Sequence, residues 1–129
     1  MRLLLDTNIV LWALLGSTRV RADVRDIIRD PLNDVFVSIV SVWEMAIKVS
    51  SGKLPVPAHL AAWLPARLAQ DHYTLLDVKL QHVLQVEHLP WHHRDPFDRL
   101  LIAQAQMEGL TIITADAIFD RYSVAVLHP

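Results

Sequence analysis

The fold is decided by the first sixteen residues, MRLLLDTNIVLWALLG (residues 1–16). A short apolar run, Arg2–Leu5, leads into the polar residues Asp6–Asn8, and a second apolar run, Ile9–Leu15, ends at Gly16. The first run predicts a strand that is buried on both faces. The second run predicts a helix that a left-handed glycine closes. A buried strand followed directly by a helix indicates a parallel sheet covered by helices.

The same alternation continues along the chain. Four further apolar runs predict strands at Val35–Ile39, Tyr73–Leu76, Thr111–Thr114 and Val124–Leu127. Helices are predicted at Ala22–Arg29, Val42–Ser51, Pro55–Gln70, Lys79–Glu87 and Leu100–Glu108. Pro65 is expected to kink or split the helix Pro55–Gln70. This alternation of strands and helices predicts a three-layer α/β/α sandwich with a mainly parallel sheet.

Length and composition exclude several classes of protein. A chain of 129 residues predicts a single domain over residues 1–129. Apolar residues make up 53% of the chain and charged residues 20%, a composition that excludes intrinsic disorder. The absence of cysteine excludes disulfide scaffolds, cysteine-ligated zinc and thiol nucleophiles. The formal net charge of −2 excludes general binding of polyanions through a basic surface.

The apolar N-terminal stretch does not predict a membrane anchor. Arg2 and Ile9–Leu15 resemble the start of a secretion signal, but the polar residues Asp6–Asn8 divide the apolar stretch. No stretch reaches the roughly 18 uninterrupted apolar residues that a membrane span needs. We therefore expect a protein without a membrane segment that works in the cytoplasm.

Four carboxylates fall at one kind of position in the predicted fold. Asp6 ends the first strand, Asp116 follows the fourth, and Glu44 and Asp98 open helices. Strand C-termini and the helix N-termini that follow them share one edge of a parallel sheet, so the four side chains are expected to converge. Converging carboxylates repel one another unless a cation lies among them, and Mg²⁺ prefers oxygen ligands. Such a site can activate water for displacement at phosphorus.

Each carboxylate also has a local structural explanation. Glu44 matches a capping box that begins at Ser41, and it stands four residues before Lys48, the favourable order for an ion pair. Asp6 and Asp116 are of a type that forms turns after strands. On this alternative the acids stabilise local structure and need not share a site.

The segment that precedes Gly109 contains further candidates. Asp95 is predicted to cap a helix that begins at Pro96, and Asp98 would then interact favourably with the dipole of that helix. Three histidines in the loop before it, His88, His92 and His93, are expected to form a polar rim rather than a metal site, because no zinc motif accompanies them.

Four blocks of sequence carry a resemblance to a known family. They are Leu4–Asn8, Ser38–Lys48 with Gly52–Leu54, His93–Ala105, and Thr114–Asp116 with Phe119. In this order and spacing the chain resembles, over essentially its whole length, the PIN-domain ribonuclease toxins of the VapC type from bacterial and archaeal toxin–antitoxin pairs. The resemblance implies an endoribonuclease that depends on Mg²⁺ or Mn²⁺.

The resemblance also implies roles for individual residues and partners. It implies an acidic catalytic pocket made of Asp6, Glu44, Asp98 and Asp116. The metal ligands it implies are Asp6, Asp98 and Asp116, and the residues that orient them are Thr7, Asn8 and Thr114. Relatives form homodimers, attack structured RNA such as tRNA or ribosomal RNA, and are inhibited by a cognate VapB-like antitoxin that blocks the active site.

A basic and aromatic rim is expected around this pocket. Arg94 and Arg99 flank it and are expected to hold backbone phosphates. Trp43 and Trp91 are candidates for stacking an unpaired base, although packing in the core is the expectation for both. Apolar surface for a dimer partner and an antitoxin helix is expected at Trp12, Trp63 and Leu64.

Three other functions compete with a ribonuclease toxin. A structure-specific DNA nuclease would use the same acidic pocket, and a catalytically inactive PIN-like interaction module would retain only the fold. A phosphoacceptor receiver domain would need a second acid beside Asp6 and a lysine late in the chain. Thr7 follows Asp6, however, and no lysine occurs after Lys79, so the receiver reading is disfavoured.

Overall fold

The core of the fold is a five-stranded sheet in which every neighbouring pair of strands is parallel. A computed structural model describes residues 1–129. The strands are β1 (Arg2–Leu5), β2 (Asp34–Ser38), β3 (Thr74–Leu76), β4 (Thr111–Ile113) and β5 (Val126–Leu127), in the order β3-β2-β1-β4-β5. The predicted α/β sandwich with a mainly parallel sheet is confirmed.

The helices lie where the apolar period predicted them, with shifts at their ends. They are α1 (Thr7–Leu14), α2 (Ala22–Arg29), α3 (Ile39–Ser50), α4 (Leu60–Gln70), α5 (Leu80–Gln85) and α6 (Pro96–Glu108), with 3-10 helices at Val86–His88 and Ala117–Arg121. Gly109 ends α6 with a φ of 66°, as predicted for a left-handed residue. Pro65 lies inside α4 without ending it, so the predicted split does not occur.

Helix α3 begins earlier than predicted because Ser38 caps it. The Ser38 hydroxyl oxygen accepts a hydrogen bond from the Val40 backbone N–H at 3.0 Å. Ser41 therefore lies inside the helix, and the predicted capping box between Ser41 and Glu44 is wrong. Glu44 lies in the middle of α3 rather than at its start.

Strand β1 separates two hydrophobic cores. Leu3 and Leu5 face a core that α1, α2, α3 and α4 complete, whereas Leu4 faces a second core built largely by α6. All three leucines are fully buried. Burial on both faces is the reason why this strand reads as an unbroken apolar run. It also holds the residue that follows, Asp6, at the centre of one sheet edge.

The surface differs from the predicted one at several large apolar residues. Leu64 is buried in the core, and Trp12 and Trp63 are partly buried against the same core, so the prediction of exposure is wrong for Leu64. The opposite error affects Trp43 and Trp91, which are exposed although core packing was expected. None of the helices combines the length and the apolar character that crossing a lipid bilayer requires.

Candidate active site

The candidate site lies at the edge of the sheet where β1 and β4 end and α1 and α6 begin. Asp6 follows β1 directly and caps α1, since its Oδ1 accepts a hydrogen bond from the Asn8 backbone N–H at 3.2 Å. Asp116 follows β4 and caps the 3-10 helix Ala117–Arg121, with Oδ1 accepting from the Ile118 N–H at 2.9 Å. Both acids therefore have the local role expected of them and still point to a common edge.

Thr114 joins these two acids. Its buried hydroxyl donates to Asp6 Oδ2 at 2.6 Å and accepts a hydrogen bond from the Asp116 backbone N–H at 3.1 Å. Burial raises the pKa of Asp6, and the Thr114 hydrogen bond partly opposes that rise because it favours the ionised carboxylate. Thr114 thus sets both the position and the basicity of the Asp6 carboxylate.

Glu44 reaches the site from the middle of α3 and is held at both oxygens. The Thr7 hydroxyl donates to Oε1 at 2.8 Å, and Lys48 Nζ lies 2.8 Å from Oε2. The hydrogen bond to Glu44 raises the pKa of Lys48. The predicted ion pair between Glu44 and Lys48 is confirmed, and it keeps the carboxylate in one orientation.

Asp98 carries the most perturbed carboxyl group at this edge. The preceding Asp95 caps α6 by accepting from the backbone N–H groups of Phe97 and Asp98, at 2.8 and 3.2 Å, which places Asp98 in the first turn. Burial raises the pKa of Asp98 to about 8, and the charges of neighbouring acids add to the rise. These acids are Asp6, Asp95, Glu44 and Asp116. The other three carboxylates of the predicted pocket therefore lie close enough to Asp98 for their charges to raise its pKa.

His93 is part of the site, although the sequence indicated only a polar rim. Its Nε2 lies 2.9 Å from Asp98 Oδ2 and 2.9 Å from Asp116 Oδ2. Its Nδ1 accepts a hydrogen bond from the Asp95 backbone N–H at 3.2 Å, so the proton of the neutral ring lies on Nε2, which forms a hydrogen bond with Asp116 Oδ2. In the sequence it stands two residues before the N-cap Asp95, a position that by itself gives no sign of its contacts with the acids.

The donor set fits a hard divalent cation. The ligand atoms of His93, Asp98 and Asp116 all lie within 4.8 Å of one another, and Asp6 adds a carboxylate close enough to affect the pKa of Asp98. These acids supply oxygen ligands, which Mg²⁺ and Mn²⁺ prefer. A bound cation would also remove the repulsion that helps to raise the pKa of Asp98. Glu44, each of whose oxygens already has one partner within the chain, lies outside the tight group.

The two arginines of the predicted rim have different environments. Arg94 is exposed beside the site, where a phosphate can reach it. Arg99 is only 3% exposed, and its guanidinium donates to the backbone carbonyl oxygens of Val86, Leu89, Pro90 and His93. The expectation that Arg99 holds a backbone phosphate is therefore wrong, because its donors already bind the loop that precedes α6.

Asn8 also differs from its expected position. Asn8 is exposed, and its backbone N–H rather than its side-chain amide contacts Asp6.

The two largest clefts of the protein, of about 380 and 360 Å³, lie at the opposite edge of the sheet beside residues such as Arg29 and His72. The clefts and the converging acids therefore point to different ends of the molecule.

Fold and site together define a class of protein. The family model of the PIN domain matches residues 3–125, and the chain belongs to this family. Within it, the chain is similar to Ribonuclease VapC16 from Mycobacterium tuberculosis (strain ATCC 25618 / H37Rv), with 35% identity over 60 residues. That alignment spans 46% of this chain and 43% of the relative, less than half of either protein. The resemblance to PIN domains of the VapC type is thereby confirmed.

Solved structures share the fold over nearly the full length. VapBC2 from Rickettsia felis, crystallised with a promoter DNA fragment, gives a TM-score of 0.72 at 16% identity, covering 99% of this chain and 98% of that one. DNA-bound VapBC from Salmonella typhimurium gives 0.73 at 15% identity, with the same two coverages. FitAcB from Neisseria gonorrhoeae gives 0.68 at 24% identity, covering 97% of this chain and 96% of that one. At these identities the likeness shows the fold.

Proposed function

We propose that this chain is a metal-dependent endoribonuclease and the toxin of a toxin–antitoxin pair. The observation that carries the proposal is the environment of Asp98, whose pKa is raised to about 8 by burial and by the charges of Asp6, Glu44 and Asp116 among its neighbours. Repulsion of this kind is a cost to stability that a divalent cation relieves, and strongly perturbed carboxylates cluster at functional sites. The name of the relative VapC16 supports RNA as the substrate.

Some residues of the pocket would hold a cation, and others would keep those ligands in place. Asp6, Asp98 and Asp116 would hold Mg²⁺ or Mn²⁺, with Thr114 fixing Asp6 through its 2.6 Å hydrogen bond. When bound, the cation supplies stabilisation of negative charge on the phosphate oxygens and lowers the pKa of a bound water.

The remaining residues position the substrate and the attacking water. Glu44, fixed between Thr7 and Lys48, would orient the water. As the water oxygen bonds to phosphorus, the bond to the leaving ribose oxygen breaks; the water gives up a proton to solvent, and the leaving oxygen takes one from solvent. Thr7 thus acts through Glu44, whereas Asn8 lies at the exposed rim. Arg94 is the exposed cation that attracts the backbone phosphates, so binding does not require a basic molecule overall. Asp98 Oδ1 accepts no hydrogen bond within the chain and is free for a ligand.

Partners and context complete the proposal. The solved neighbours are named as complexes of VapB with VapC and of FitA with FitB, which supports a VapB-like antitoxin for this chain. We assign residues 1–129 to a single PIN domain that works in the cytoplasm as a homodimer. An antitoxin segment that covers the carboxylates would inhibit cleavage by excluding RNA.

The experiment compares nucleic acids and metals on one preparation of antitoxin-free protein. Structured RNA, single-stranded DNA and double-stranded DNA are each incubated with Mg²⁺, with Mn²⁺ or with EDTA, and the products are separated on a denaturing gel. We expect RNA to be cut with either metal and not with EDTA. Asp98→Asn should lower the cleavage rate at least 100-fold, whereas the matched control Asp26→Asn, an exposed acid on α2, should not.

Each alternative function has its own outcome in this experiment. Preferential cleavage of DNA would favour the DNA nuclease. A folded protein that cuts none of the substrates with either metal would favour the inactive interaction module. RNA cleavage that Asp98→Asn leaves unchanged would show that a contaminant or a different site is responsible, and the proposed function would then fail.

A further inference from the structure

The most exposed aromatic side chain of the protein lies beside the candidate active site. Trp91 is 77% exposed, and it precedes His93 by two residues, so their Cα atoms are no more than about 7 Å apart. Single exposed apolar residues are ordinary on protein surfaces and need no function by themselves. What distinguishes Trp91 is the way in which its ring is held.

One face of the Trp91 indole rests on a fixed cation. The Cζ atom of Arg99 lies 3.9 Å from the centroid of the indole ring. The Arg99 guanidinium cannot follow the ring, because it donates to four backbone carbonyl oxygens and to the hydroxyl of Tyr122 at 3.3 Å. A cation over an aromatic face attracts it, so the orientation of the exposed ring is set by a buried partner.

The other face of the ring is open to solvent. With 77% of the residue exposed, the contact with Arg99 accounts for the one protected face. An oriented, open aromatic face is a surface on which a nucleobase stacks, and every base offers a flat π face for this purpose. Arg94 is exposed three residues further along the same loop and supplies a positive charge for binding a backbone phosphate.

We propose that Trp91 is a base-stacking subsite that takes one unpaired base of the substrate strand next to the carboxylate site. The base is unpaired because in a duplex both of its faces are already stacked, so single-stranded loops and ends are the segments that fit. This inference deepens the proposed nuclease function, which supplies the strand, and it adds a contact that the acidic pocket does not provide.

The test measures binding in the full-length Asp98→Asn variant, so that cleavage does not interfere. This variant is the parent into which the other substitutions are introduced. Fluorescently labelled single-stranded RNA 12-mers are used at one fixed salt concentration: oligoadenylate, and an abasic strand with the same ribose-phosphate backbone. Trp91→Ala should weaken the binding of oligoadenylate by about 5- to 100-fold, the range of one stacked base. It should change the binding of the abasic strand less than about 2-fold, since that strand has nothing to stack.

Four further measurements separate stacking from damage to the fold. Trp91→Phe keeps an aromatic ring and should retain more affinity than Trp91→Ala. Oligoadenylate should quench the indole emission of the parent more than that of Trp91→Phe, which keeps only the other three tryptophans. Leu32→Ala, which alters an exposed apolar side chain in the turn before β2, is the matched control and should leave affinity unchanged. The melting temperature of Trp91→Ala should stay within a few degrees of that of Leu32→Ala, a difference that the lost contact with Arg99 accounts for.

The outcomes distinguish this inference from the proposed function. Equal affinity of Trp91→Ala and its parent for oligoadenylate overturns the stacking subsite, as does a parent that binds no single strand. If Trp91→Ala instead weakens only the antitoxin, the ring is a protein contact and the inference is wrong. Whatever the result, the nuclease function is tested separately, by measuring metal-dependent cleavage with the chain that retains Asp98.

Discussion

Replacing Asp98 with asparagine should stabilise the metal-free protein while it removes the activity. The Asp98 carboxyl is buried, only 15% of its side chain is exposed, and its pKa is raised from 3.8 to about 8. Asparagine has nearly the same shape and carries no titratable charge. The substitution therefore removes the electrostatic cost of the site and keeps its packing.

The magnitude follows from the two pKa values. Below pH 3.8 the carboxyl is protonated in both the folded and the unfolded chain, so it has no effect on the pH dependence of stability. Above that pH the unfolded chain ionises while the folded chain stays protonated, and the free energy of unfolding falls by about 1.4 kcal/mol per pH unit until pH reaches about 8. At pH 7 the loss reaches about 4 kcal/mol. His93 Nε2, which lies 2.9 Å from Asp98 Oδ2, favours the carboxylate, and this makes the figure an upper limit.

The assay is thermal unfolding in EDTA between pH 4 and pH 8. Even half of the upper limit, about 2 kcal/mol, should raise the Tm of Asp98→Asn above that of the unsubstituted chain by about 7 °C at pH 7. The difference should shrink toward zero near pH 4. Added Mn²⁺ should raise the Tm of the unsubstituted chain more than that of the variant, because binding to the folded state stabilises it.

Two results would refute this reasoning. One is an Asp98→Asn variant that is no more stable than the unsubstituted chain in EDTA at pH 7. The other is a stability gain that stays constant between pH 4 and pH 8, since a gain of electrostatic origin has to follow the ionisation of the carboxyl. Asp26→Asn is again the matched control, and its Tm should follow that of the unsubstituted chain across the whole range.

Three more substitutions test the remaining assignments. Arg99→Ala should lower the free energy of unfolding by about 3–5 kcal/mol in urea titrations, because it leaves buried carbonyl oxygens without donors. Arg94→Ala should instead keep the Tm. It should reduce by about one the slope of the logarithm of the RNA-binding constant against the logarithm of the salt concentration. If both arginines affected only RNA binding, the structural role of Arg99 would be wrong. Glu44→Gln should reduce the cleavage rate about 100-fold or more with a stability change within about 1 kcal/mol, and full activity would remove Glu44 from the catalytic set. Thr114→Val should raise the pKa of Asp6 further and weaken Mn²⁺ binding in a calorimetric titration about 10-fold or more, whereas unchanged affinity would show that Thr114 does not orient a ligand.

Much of this molecule follows from local patterns. Strands buried on both faces read as unbroken apolar runs, and Asp95 with Pro96 marks the start of α6 because capping and a fixed φ act within one turn. The convergence of Asp6, Glu44, Asp98 and Asp116 at one edge also follows, since a parallel sheet brings strand C-termini together. The start of α3 was misplaced, because Ser38 rather than Ser41 provides the cap, and α4 begins at Leu60 rather than at Pro55.

The tertiary structure alone decided which side chains fill the site and which are exposed. His93 meets Asp116 across 23 positions of sequence, and Arg99 is buried against carbonyl oxygens that any residue would provide, so no residue pattern announces either contact. The sequence pattern does not distinguish a solvated arginine from a buried one. Nor does it distinguish a tryptophan in the core from one with an exposed ring, such as Trp91. The sequence by itself determined the sheet, its helices and the acidic edge, because local burial and capping encode them. The partners of His93, Arg99 and Trp91 depend on how distant segments pack, and only the folded chain decides that.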